Sequence, residues 1–219
     1  MIKTTMHNPM KVITGPNTRW SYANVWEPKS INGGTPKYSV ILIIPKSDTV
    51  TVAKVKAAIE AAYKEGEAKL KGNSKSVPAR SEIKTPLSDG DAERPDDEAY
   101  RGSYFVNANT TTVPGIVDLD LNPILSSSEV YSGVYGRASI TFYAFNSSGN
   151  RGIACRLNHL QKIRDGKPLW DICSKVNADH EDVRNVIYRT MKENHITDPA
   201  NLQPGQLIVI HVKPMKGGE

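Results

Sequence analysis

Residues 130–145 read VYSGVYGRASITFYAF. From Tyr135 onward the pattern alternates with period two, which is the signature of a half-buried strand. Ala138, Ile140, Phe142 and Ala144 fall on one side, and Tyr135, Arg137, Ser139, Thr141 and Tyr143 on the other. The first set is what the inside of a barrel or sandwich requires. The second interleaves rings with an arginine and hydroxyls. A merely solvated face carries Lys, Glu and Thr with few rings. Rings with arginine suit the stacking of flat, anionic partners, and single-stranded nucleic acid is the commonest of these. The competing reading is an outward face covered by another element.

Working outward, residues 19–26, RWSYANVW, alternate again and place Trp20, Tyr22 and Trp26 on one face with Asn24. A glycine-bearing link, KSINGGTP, reads as a hairpin loop, and KYSVILIIPK as a buried strand that stops at Pro45. From Thr51 the period changes. Val52, Val55, Ala58, Ile59 and Ala62 recur at helical spacing, with Thr49 or Thr51 as the expected cap and an end near Gly72. Residues 85–102 are rich in acids, Pro and Gly and read as a solvated loop. The segment GSYFVNANTTTVPGIVDLDLNPI holds two more short strands around a Val-Pro-Gly turn. A last strand, RGIACRLNHLQKI, turns Ile153, Cys155 and Leu157 inward. Six or more strands and one long helix in residues 10–163 indicate a β-rich α+β fold. A helix among barrel strands points to a five-stranded OB-type barrel.

Charge divides the chain. Residues 1–166 hold 21 basic and 16 acidic side chains, whereas residues 167–219 hold 7 of each. Residues 82–98 concentrate seven acids against two bases, so the rest of the first part is strongly basic. That split fits a polyanion-binding body with one acidic loop. Catalytic signatures are absent. There is no GxxxxGK[ST], GxGxxG, HExxH or GxSxG, and the five histidines are scattered. The acids Asp89, Asp91, Asp96 and Asp97 match no EF-hand spacing, and Asp118 with Asp120 lacks a third acid in a recognisable frame. The expectation is a protein that is not an enzyme and takes no metal or cofactor. No membrane span or export signal is visible, so the expected place is the cytoplasm, with both cysteines as buried thiols.

The ordered blocks YANVWEP, PKYSVILIIPK, PLSDGD, YRGSYFVNA, VYSGVYGRASITFYAF and RGIACRLNHLQKIRDGKPL resemble a family of bacteriophage single-stranded-DNA-binding proteins over residues 10–169. The resemblance implies an OB fold with DNA in a basic, aromatic-lined groove. It also implies binding without marked sequence preference, in phage replication or recombination within the host cytoplasm. Its implied partners are single-stranded DNA and, beyond that, a second copy or replication proteins. Strand alternation selects the candidate DNA-binding residues Trp20, Tyr22, Trp26, Tyr104, Tyr135, Arg137, Tyr143, Arg151 and Arg156.

The end of the chain departs from that family. Two helical stretches follow, one with Leu169, Ile172, Cys173 and Val176 on a face, the other with Val183, Val186, Ile187 and Met191 behind an Asp179 cap. An alternating strand closes the sequence. Strand–helix–helix–strand with a GKPLWDI opening and a DPANLQPGQLIVI ending resembles a LysM module, giving an OB-type domain over residues 1–166 and a LysM-like module over 167–219. LysM modules bind N-acetylglucosamine polymers, with contacts expected here from Gly166–Pro168 and Ile196–Asp198. Three readings stand: an interaction unit without sugar binding, a glycan binder, or a fusion. The alternative function is accordingly a phage structural or cell-wall protein whose tail binds peptidoglycan.

Overall fold

The computed structural model describes residues 8–30, 33–147, 150–166, 169–176, 183–196 and 207–211. The strand read first, β7 (Tyr135–Ser147), is the hub. Its even residues Ala138, Ile140 and Phe142 are fully buried, and Ala144 nearly so. Along its length β7 pairs antiparallel with β8 (Asn150–Arg164). On its other side Tyr135 meets Arg19 of β2 (Arg19–Lys29), and residues 139–141 meet β1 (Lys11–Ile13), which continues the ladder where β2 turns away.

β2 forms a hairpin with β3 (Lys37–Pro45), and β3 pairs antiparallel with β5 (Ser103–Thr110). β5 returns to β8 by a parallel contact, Asn109 against Arg156. The circuit β7–β2–β3–β5–β8–β7 is therefore closed, with five strands in an OB-like order. β6 (Gly115–Val117) continues β5 along β8 after a short excursion, and β4 (Leu87–Asp89) pairs with β5 on the edge away from β3. Closure removes the free edges of the sheet and encloses Trp20, Val25, Leu42, Ile44, Val106, Ile140, Phe142 and Leu157 in one core.

Between β3 and β5 the sequence predicts one long helix and a loop, and the structure is richer. Helix α1 (Thr49–Glu65) is capped by Asp48, whose carboxylate accepts from the Thr51 N–H, rather than by either threonine. It ends at Gly66, a position that admits only glycine because a Cβ there would overlap Ala144. A short helix, α2 (Glu67–Lys71), resumes before Gly72. α1 buries Val55, Ala58, Ile59 and Ala62 against the core. The helical insert thus covers the apolar parity of β7, leaving the tyrosine parity clear of it.

The acidic stretch is also folded. Lys46 at the end of β3 reaches Asp89 and Asp91, each at 2.7 Å. Asp89 caps a short helix, α3 (Gly90–Glu93), and Asp97 caps a single helical turn ending at Tyr100. Clustered acids can fold here because Lys46 and backbone N–H groups satisfy several of them. That lysine ties the carboxyls of Asp89 and Asp91 below the ordinary carboxylate range. The Asp118 carboxylate is likewise spent on a turn, accepting from the N–H groups of Asp120 and Asn122. Among the described residues no cluster of three metal-ligating side chains forms.

In the tail, helices α4 (Leu169–Val176) and α5 (Val183–Glu193) pack through Leu169, Cys173 and Val186 into a small core separate from that of the barrel. Ile187, Met191, Ile208 and Ile210 lie against it. The strand–helix–helix–strand expectation is not met among the described residues. HLQKIR belongs to β8 of the barrel, and residues 207–211 carry no strand. The Asp179 cap and most of the proposed glycan-contact residues lie outside the described residues. Both cysteines are free and buried, and desolvation pushes their thiols up.

Candidate nucleic-acid interface

The alternation of β2 breaks at Tyr22. Its φ is 46°, a left-handed conformation that side chains rarely adopt, and the pairing with β3 shifts register between Ser21 and Asn24. Trp20 and Ser21 are consequently both buried, while Tyr22 swings outward and is 42% exposed. Asn24 holds the kink by donating to the Tyr22 carbonyl and to Ser39 Oγ. Strained backbone of this kind collects at functional sites.

Tyr22 stands at one side of a groove of about 800 Å³ that runs over the outside of β2, β3 and β5. The floor is Ser39, Ile41, Asn107 and Asn109, which are the outward positions of β3 and β5. Lys29 and Lys37 come from the hairpin, directly opposite each other in register. Like charges so placed repel, and a bound anion relieves the repulsion. Arg94 closes the groove from the segment sequence analysis read as an acidic loop. Its guanidinium lies 4.8 Å from the Tyr100 ring centroid and 5.5 Å from that of Phe105. Those rings meet edge to face, with the buried Tyr100 covering the lower half of the β3–β5 face. The lining thus holds three cations and, among the described residues, no carboxylate. None of the three cations forms an ion pair with a described residue.

The residues expected to bind DNA are dispersed. Tyr22 lines this groove. Tyr143 and Arg156 line an adjoining cavity, with the guanidinium 5.7 Å from the ring centroid. Trp20 does not reach any surface. It is fully buried, its ring lying over Gly136, because the bulge at Tyr22 inverts the parity. Trp26 is half-buried and donates its indole N–H to the Val130 carbonyl. Tyr104 sits between Lys46 and Lys56, each 5.1 Å from its ring centroid, on the parity opposite to Asn107 and Asn109. Arg151 fastens a loop to β8 through Ser74 Oγ at 2.7 Å.

Tyr135 is half-exposed under Arg164, at 3.6 Å, and Arg137 donates to Gln161 Oε1. These two lie at the β2 end of the β7–β8 face. Lys29, Lys37, Arg94, Asn107, Asn109 and Arg164 were not singled out by sequence. The Asn-x-Asn spacing on β5 was a readable signal, since it places two amides on one strand face. Arg94 had none, because its neighbours are acids.

Comparison with known proteins gives a consistent result. The family model described as "Enterobacter phage Enc34, ssDNA-binding protein" matches residues 10–186. A protein designated p50, from Acyrthosiphon pisum secondary endosymbiont phage 1, is 29% identical over 154 residues, covering 68% of this chain and 82% of that protein. The structure of the single-stranded DNA-binding protein from bacteriophage Enc34 in complex with ssDNA aligns with a TM-score of 0.59 at 22% identity, over 73% of this chain and 89% of that one. The structure of gp2.5, a single-stranded DNA-binding protein encoded by bacteriophage T7, aligns with a TM-score of 0.50 at 14% identity, over 78% and 97% of the two chains.

Proposed function

Because the chain belongs to the family of the Enterobacter phage Enc34 ssDNA-binding protein, we propose that it binds single-stranded DNA in the groove over β2, β3 and β5. It acts there without marked sequence preference, during phage DNA replication or recombination in the host cytoplasm. The observation that carries this reading is the groove itself, whose lining holds three cations, a projecting tyrosine and, among the described residues, no carboxylate. Cations neutralise phosphates, Tyr22 offers a π-face that every base can stack on, and neither interaction reads sequence. Asn107 and Asn109 can donate to sugar or base oxygens as the strand passes. Tyr135 and Arg137 belong to a separate face and are a secondary contact for longer strands. The tail, on a core of its own, serves as an interaction unit for a second copy or a replication protein.

The test is fluorescence anisotropy with labelled homopolymers of thymidine, cytidine and adenosine, against duplex of the same length. Comparable affinity for the three single strands, falling with salt, is expected. Preference for duplex, or for peptidoglycan in a pull-down, overturns the reading.

A further inference from the structure

β5 leaves β8 after one bridge, Asn109 to Arg156, and the chain rejoins β8 only at Gly115 opposite His159. Residues 111–114 therefore stand away from the sheet. Beneath them a cavity of about 380 Å³ opens, large enough for a small ligand. On its floor, β8 carries a bulge. The register with β7 shifts between Ser139 and Ile140, so Asn158 and His159 both face outward between the buried Leu157 and Leu160. Asn158 is fixed by donating to Thr141 Oγ1 at 3.0 Å. Tyr143 presents a half-exposed ring, with the exposed Arg156 beside it. Lys37 and Asn109 line both this cavity and the groove. The two hollows therefore adjoin, and among the described residues the second also lacks a carboxylate.

We propose that this cavity is a separate nucleotide subsite, taking one base on Tyr143 and its phosphate on Arg156 from a strand that leaves the groove past Lys37. The DNA track then crosses the β5–β8 seam instead of ending on β5. The inference rests on the groove being the DNA site. Threonine hydroxyls of residues 111 and 112 supply hydrogen bonds that any base or sugar can accept, and the Asn158 amide oxygen can accept one, its N–H groups being held by Ser139 and Thr141. The subsite is thus as indifferent to sequence as the groove.

Oligothymidylates of about 4 and about 16 nucleotides, the range one OB barrel covers, separate the two hollows when measured by competition anisotropy. Tyr143→Ala is expected to weaken the longer strand by about 5- to 150-fold, the equivalent of one lost base–aromatic stack. The shorter strand, held in the groove, is expected to bind as before. Tyr143→Phe restores the longer strand's affinity, since it keeps the ring. Arg156→Gln, at an exposed position that no core contact depends on, repeats the length-selective loss. Equal losses at both lengths, or no loss at either, overturn the proposal. The groove is checked independently by Arg94→Gln. If that variant binds the shorter strand normally, the site assignment under Proposed function fails, whatever Tyr143 does.

Discussion

Trp20 and Tyr22 are two residues apart in one strand, and their substitution should have opposite effects. Trp20 is fully buried, and its removal empties the centre of the barrel. Trp20→Ala is expected to lose about 3–5 kcal/mol of stability, a large part of the ~5–15 kcal/mol a domain has. Its affinity per folded molecule should stay normal. Tyr22 is 42% exposed and held at φ 46°, where an L-residue carries about 1–2 kcal/mol of strain. Tyr22→Gly releases that strain but raises the entropy of the unfolded chain by about 0.5–1 kcal/mol. The net change in stability should be within about 1 kcal/mol of zero, while DNA binding loses about 1–3 kcal/mol with the stacking ring. Tyr22→Ala should bind as poorly and be less stable than Tyr22→Gly, because alanine keeps the strained backbone. Urea unfolding and anisotropy titrations on the same three proteins decide the matter. If Tyr22→Gly unfolds as early as Trp20→Ala and binds normally per folded molecule, the assignment of one ring to the core and the other to the DNA is refuted.

Three further outcomes are expected. Lys37→Gln should flatten the log–log salt dependence of poly-dT binding by about 0.7, the contribution of one phosphate contact to a single strand, as read from anisotropy at several salt concentrations. Acid should loosen the fold partly through Asp89 and Asp91. Their folded-state carboxyls titrate below the ordinary value, so their contribution is complete above about pH 4 and is lost as pH falls through the depressed values. Lys46→Met should reduce the change in urea midpoint between neutral pH and about pH 3. Deleting residues 170–219 should leave a folded barrel that still binds DNA, since the tail packs on its own small core; circular dichroism with anisotropy checks both halves of that statement.

The sequence by itself determined the parity of β7, the inward set of β8, the position of α1 and the basic balance of the barrel. Each depends on a sum over residues or on local periodicity in a stretch where the helix or ladder stays regular. Charge and the want of catalytic motifs also pointed to polyanion binding before any fold was seen. Only the tertiary structure decided which aromatic residues face outward. Period two assigns a face only while the ladder is regular, and the bulge at Tyr22 sends Trp20 inward without any mark in the composition of RWSYANVW. The same holds for Asn158 on β8. The groove was invisible for a different reason. Tyr22 and Lys29 come from β2, Ser39 from β3, Arg94 from the acidic stretch and Asn107 from β5, four segments separated in sequence. They meet because barrel closure sets β2, β3 and β5 side by side and because Lys46 folds the acidic stretch over β5. A run of acids reads as repulsive along a chain. In three dimensions it is tethered by Lys46, and that tether helps to place Arg94 at the edge of the groove.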